Sequence, residues 1–259
     1  MITETGSANV KNVLNVPTVG PAHYEKNFIR QVVCEFRFPT LFELENAQPP
    51  LAFAQALRKE YPNYSQLTGL SVNANGLEKS RGHSFASKGN RWAVNLRAST
   101  ISLETSFYNA FSDFENRLES VLSAAQKIID TEYFTRIGLR YINSVPFKRQ
   151  EIGSWVNPVL VGPLAQGVYG DAEEYSQRVS GRTECGGFLF THGITRNSEG
   201  AHVDYLLDFD FFQEDVAVKG SMDVVKRLHT AEFSMFMWSL AEKAKNELGH
   251  STIKASGAK

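Results

Sequence analysis

Residues Tyr133 to Val145 read Tyr-Phe-Thr-Arg-Ile-Gly-Leu-Arg-Tyr-Ile-Asn-Ser-Val. Tyr133, Ile137, Leu139, Tyr141 and Val145 share one side of an extended chain. Arg136 and Arg140 fall on the opposite side, and Asn143 returns to the apolar one. Successive strand side chains alternate between faces, so the spacing predicts a strand with one face in a core and one in water.

The text on either side extends this into a sheet. Upstream, Phe107, Phe111, Phe114, Leu118, Val121, Ala125 and Ile128 recur at three and four residues, which predicts a long helix with Ser106 as N-cap. Before it come four strands: Gln66 to Asn75, His83 to Ser87, Trp92 to Ala98, and Ile101 to Thr105. Pro49-Pro50 opens a short helix that Pro62 closes. Phe28 to Phe38, with Val32, Cys34, Phe36 and Phe38 on one side, is the first strand. Downstream, 146–172 carries Pro146, Pro158 and Pro163 and reads as irregular, with a short helix near Trp155. Tyr175 to Arg182, Gly186 to Ile194 and His202 to Phe212 are strands. A final helix is expected from a Ser221 cap to Leu248, with Gly249 just past its end.

The expected fold is α+β: a largely antiparallel sheet covered on one face by two long helices, arranged as two similar βαβββα halves. Ile29 to Phe38 echoes Thr135 to Ser144, which places the halves at 24–131 and 132–250 of one compact unit. Equal element order also arises by chance, so a single undivided unit remains the alternative. Residues 1–23 are expected to form a flexible arm and 251–259 a loose tail.

Composition sets further bounds. The 259 residues suffice for a sizeable core, and 18 Phe predict one rich in aromatic rings. With 27 basic against 28 acidic residues, the net charge is −1, so nucleic acid is not indicated as a partner. Cys34 and Cys185 read as free thiols. Met1 to Gly20 lacks a basic start followed by an apolar run, and no stretch reaches the ~18 apolar residues that span a bilayer. The expected compartment is the cytoplasm, with no membrane association.

Five features are candidates for a site. Asp208 and Asp210, two apart on a strand, point to one side as a two-metal phosphoryl-transfer site requires. The preceding glycine turn of such enzymes is missing: Gly186-Gly187 lies too far upstream. A solvated face carrying Asp204, Asp208 and Asp210 is favoured, and no metal is expected there. Arg136 and Arg140 could clamp a phosphate or carboxylate, with Asn143 as a third binding residue on the other face. Cross-strand pairing with acidic neighbours is favoured over the clamp. Small basic spots at Lys79 with Arg81 and at Lys148-Arg149 read as solvated loops. The six histidines include no i, i+4 pair on a helix, and His229 reads as a satisfied, half-buried residue. No nucleophile elbow and no phosphate loop occur. Lastly, Phe233, Met235, Phe236, Met237 and Trp238 make the final helix apolar on nearly every side. Such a helix is buried by its own core or by another chain, so Phe233, Phe236, Met237 and Trp238 form a candidate interface.

The text from Arg136 to Asn143 sits in a frame of Tyr24, Tyr61-Pro62, Phe107-Tyr108, Leu228-His229 and Phe233. Together these resemble a sporadically distributed bacterial family of proteins of about this length, to which no function is assigned. The resemblance brings no activity, cofactor or catalytic residue. Its patchy distribution implies horizontally transferred genes, as in defence or mobile-element cargo.

The functional expectation is a non-catalytic ligand- or partner-binding protein of a bacterial defence or stress module. A homo-oligomer or a partner protein is expected, a small ligand is compatible, and no cofactor is called for. The alternatives are a metal-dependent phosphoryl or nucleotidyl transferase using Asp208 and Asp210, and a nucleic-acid binder using Arg136, Arg140, Lys148 and Arg149.

Overall fold

The computed structural model describes residues 13–20, 23–73, 76–196 and 203–251. Its strands are β1 (His23–Tyr24), β2 (Ile29–Arg37), β3 (Asn63–Asn73), β4 (Gly76–Ala86), β5 (Trp92–Arg97) and β6 (Thr100–Thr105). After these come β7 (Tyr133–Pro146), β8 (Tyr175–Thr183), β9 (Gly186–Arg196), β10 (Val203–Ala217) and β11 (His250–Ser251). The helices are α1 (Leu51–Leu57), α2 (Phe111–Ala125), α3 (Ile152–Trp155), α4 (Pro158–Ala165), α5 (Ser221–Ser239) and α6 (Glu242–Leu248). The fold is α+β.

Nine strands form one antiparallel sheet in the order β3-β4-β5-β6-β2-β7-β10-β9-β8. The alternation of apolar residues sets its register. One line of facing residues crosses seven strands: Phe85, Val94, Leu103, Cys34, Leu139, Phe211 and Phe188. All seven are buried. A one-residue slip in any of these strands would turn its apolar set to solvent, so burial fixes the pairing. The opposite face carries Glu35, Glu104, Arg136, Arg140, Asp208 and Asp210. The two opening strands, β2 and β7, pair with each other at the centre. Each is followed by helix, then a meander whose last strand returns to pair with it, then a long helix. The first meander has four strands and the second three, so the first half is βαββββα.

The helical cover is not two long helices alone. α5 packs over β7 and β10, and α2 places Phe114 against Trp92, with ring centroids 5.8 Å apart. α3 and α4 bury Ile152, Leu160 and Val161, and α3 meets α6. The segment 146–172, expected to be irregular with a short helix near Trp155, holds α3 at that place and α4 after it. Asn157 caps α4, its Oδ1 accepting from the Val159 N–H at 3.1 Å.

Local differences from the sequence expectation have physical causes. α2 begins at Phe111, not after Ser106. Thr105 Oγ1 accepts from the Phe107 N–H (2.9 Å) and donates to the Arg91 carbonyl (2.8 Å), holding the preceding segment outside the helix. The last helix breaks at Leu240, which is extended and bridges Val156. Asn157 Nδ2 donates to the freed Trp238 carbonyl at 2.8 Å. The first residue of α5 is Ser221, and Gly220, with φ 91°, holds the cap position. Gly249 takes the left-handed turn expected after Leu248. The described part of the N-terminal arm is docked: the Leu14 N–H donates to Arg182 O (2.8 Å) and the Val19 N–H to Ser234 Oγ (3.1 Å). The rest of the arm, 1–12 and 21–22, and the tail beyond Ser251 lie outside the described residues. No helix of the described residues is long and apolar enough to cross a membrane.

Candidate functional site

The buried stripe of α5 runs through Val225, Leu228, Glu232, Met235 and Ser239, at spacings of three and four. Four of these suit a core, and Glu232 does not. Its side chain sits over the centre of the sheet at 1% exposure. Oε1 accepts from the Tyr141 backbone N–H at 3.2 Å, and Oε2 has no hydrogen-bond partner. Burial, reinforced by Asp210 and Asp208, raises its pKa well above the ordinary carboxyl value. Burial therefore favours the protonated, neutral form of Glu232.

Glu232 lines a cavity of about 310 Å³ between α5, the central strands and two loops. Half of the residues that line it carry rings. Phe209 of β10 and Phe236 of α5 meet edge to face at 6.4 Å. Tyr24 and Phe233 lie 6.0 Å apart. His229 stacks on Phe111 at 3.8 Å with the rings 4° from parallel. Tyr141 links these elements: its hydroxyl is 3.1 Å from His229 Nδ1 and 3.4 Å from the Tyr108 hydroxyl. Burial raises the Tyr141 pKa well above its usual value, pushes Tyr108 up to about 12 and lowers His229 to about 4. The chain of three rings is neutral at physiological pH.

Two loops form the mouth. The segment before α2 contributes Tyr108, Asn109 and Ala110, and Asn27 Nδ2 donates to the Tyr108 carbonyl at 3.2 Å. The segment before β2 is tied to the end of α6 by the Lys26 N–H to Leu248 O bond (3.2 Å) and by the Lys26–Glu247 ion pair (2.7 Å). Part of the site thus exists because α2 starts late: a helix running from Ser106 would withdraw Tyr108 and Asn109 from the rim.

The arginines lie on the other face of the sheet and do not meet Asn143. Arg140 engages Asp208 with both Nε (2.8 Å) and Nη2 (2.6 Å). Arg136 Nη2 reaches both oxygens of Asp210, at 2.8 and 2.9 Å. Its direct cross-strand neighbour is Glu214, so the side chain runs along the strand to reach Asp210. It can do so because Gly138 lies in its path. A Cβ there would sit 2.2 Å from Arg136 Nη1, where the guanidinium stacks over the Phe212 ring (4.6 Å). The expected pairing of these charges is present, and the two aspartates are occupied by arginine. Ser144 Oγ and Arg30 engage Asp204. Asn143 is buried, donates to Leu207 O at 3.3 Å and lines the cavity. Among the described residues no three His, Cys, Asp or Glu side chains converge as metal ligands. The Lys79 and Arg149 side chains fall outside the description.

Of the apolar run on α5, Met235 and Met237 are buried, Phe233 and Phe236 line the cavity, and Trp238 is partly buried against the core. The run thus faces the chain's own core and the cavity. Glu232 was not legible as a site residue from its type. The available signal was its position: a carboxyl four residues after Leu228 and three before Met235 lies on the buried stripe. Comparison with protein-family models and with curated proteins finds no match to this chain.

Proposed function

We propose that this chain is a non-catalytic binding protein that holds a small organic ligand in the cavity between α5 and the centre of the sheet. The observation that carries this is Glu232: a carboxyl at 1% exposure whose Oε2 has no partner, on an aromatic-walled cavity of about 310 Å³. An unsatisfied buried carboxyl costs stability, and ligand pockets pair mostly apolar walls with a few such polar groups. Tyr108 and Tyr141 keep their protons well above neutral pH, and His229 stays unprotonated well below it. The transferase and nucleic-acid readings lose support because Arg136, Arg140, Asp208 and Asp210 satisfy one another. A role in a bacterial defence or stress module rests on the sequence resemblance alone.

The test is ligand-observed NMR with a fragment set of aromatic amines, alcohols and acids sized to the cavity. Wild-type protein is expected to give saturable signals. Ala110→Trp, which fills the mouth from an extended backbone position, is expected to abolish them. Absence of saturable binding by any member of the set would overturn the reading.

A further inference from the structure

The chemistry of the cavity narrows its ligand. Among the described residues, the inner part holds one carboxyl, Glu232, and no basic side chain other than His229, whose pKa burial lowers to about 4. Lys26 at the mouth is paired with Glu247 and also lies near Glu25. An anionic ligand would meet a carboxyl, acidic neighbours at the mouth and, among the described residues, no free cation. A neutral ligand would leave Glu232 protonated, its Oε2 satisfied only if the ligand offers an acceptor. A cation changes the balance. It supplies the positive charge whose absence keeps Glu232 neutral, and aromatic faces attract it within about 6 Å of a ring centroid. Phe209, Phe233, Phe236, Tyr108 and Tyr24 all present rings to this space.

We infer that the ligand is an organic cation: a protonated amine carried on an aromatic or branched apolar group. One ammonium N–H donates to Glu232 Oε2, and the surrounding rings hold the charge and the apolar part. This rests on the cavity being a binding site. The proton balance is explicit. The ligand arrives as a cation, the Glu232 carboxyl gives its proton to solvent, and the carboxylate pairs with the ammonium. Binding therefore releases about one proton and strengthens as pH rises, until Glu232 would ionise unaided. The groups facing Glu232 are Cys34 of β2, Tyr141 of β7, Tyr108 of the rim, His229 of α5, and Asp208 and Asp210 across the sheet. Burial moves the cysteine and both tyrosines upward and the histidine to about 4.

The experiment is isothermal titration calorimetry with benzylammonium, benzyl alcohol and benzoate, on the wild-type chain and on Glu232→Gln, in two buffers of different ionisation enthalpy. The glutamine keeps an acceptor for the Tyr141 N–H, and the wild-type series decides the question even without the variant. Benzylammonium should bind at least about tenfold more tightly than benzyl alcohol, the scale of one charge-assisted hydrogen bond, with benzoate weakest. Proton release of about one per ligand should accompany it. Glu232→Gln should remove the preference for benzylammonium and the proton release. If benzyl alcohol binds as well as or better than benzylammonium, or the preference survives in Glu232→Gln, the cation inference fails and the cavity remains a binding site. If none of the three binds the wild-type chain, both readings fail.

Discussion

Glu232→Gln should stabilise this protein, and by more as pH rises. The carboxyl is buried, its Oε2 is unpartnered, and burial raises its pKa well above the ordinary carboxyl value. Between the unfolded and the folded pKa, the native chain holds a proton that the unfolded chain releases. Native stability therefore falls with rising pH across that window. The contribution is fully present below the unfolded value and is lost as pH climbs through the folded one. The slope for one group is about 1.4 kcal/mol per pH unit. Glutamine has no proton to lose and still accepts from the Tyr141 N–H. The stability difference, variant minus wild type, should grow by about 1.4 kcal/mol for each unit above pH 5, as long as pH stays below the folded pKa. His192 and His229 act with the opposite sign. Burial lowers both from 6.5 to about 4, so both chains gain stability as pH rises through that interval, and the term cancels in the difference. The assay is urea unfolding followed by tryptophan fluorescence at pH 5, 6, 7 and 8. A difference that stays constant with pH, or shrinks, would refute the claim that Glu232 is held protonated in the fold.

Two further outcomes can be checked by denaturation. In double-mutant cycles, Arg136 with Asp210 should couple more strongly than Arg140 with Asp208. The Arg136 side chain is 16% exposed and lies on Phe212, whereas that of Arg140 is 48% exposed. The expected couplings are about 1–2 kcal/mol for the first pair and about 0.2–1 kcal/mol for the second; equal couplings, or none, would show that the polar face is held by something else. Gly193→Ala should destabilise by about 1–3 kcal/mol, since its Cβ would lie 1.9 Å from the Tyr175 carbonyl oxygen and force β8 away from β9. An unchanged unfolding midpoint would contradict the close approach of these strands.

The strands were the most legible part of the fold, because period-two burial is written directly into the residues. Val32, Cys34 and Phe36, or Tyr205, Leu207, Phe209 and Phe211, are buried on the face that their alternation assigns. Helix ends were less legible because local hydrogen bonds compete with periodicity. Phe107 continues the three-four pattern of α2, yet Thr105 holds its N–H and Arg91 covers its ring at 4.3 Å, so the helix starts four residues later. Leu240 fits an unbroken final helix, yet pairing with Val156 pulls it into an extended bridge. In β10, Asp215 takes a left-handed φ of 51°, and beyond it the buried positions shift from odd to even, at Val216.

The sequence by itself determined which residues face the core: alternation and three-four spacing are properties of a single element, and burial of apolar surface enforces them wherever that element lies. It also placed Arg136, Arg140, Asp208 and Asp210 on polar strand faces, and so made their pairing legible. Only the tertiary structure decided where the cavity is. Glu232, His229, Tyr141, Tyr108 and Asn143 come from α5, β7 and the rim loop, far apart along the chain, and no local pattern relates them. They converge because β2 and β7 pair at the centre of the sheet and α5 crosses above. Whether a buried carboxyl is paired or left with an open oxygen depends on the distances between those elements, which no spacing within one element specifies.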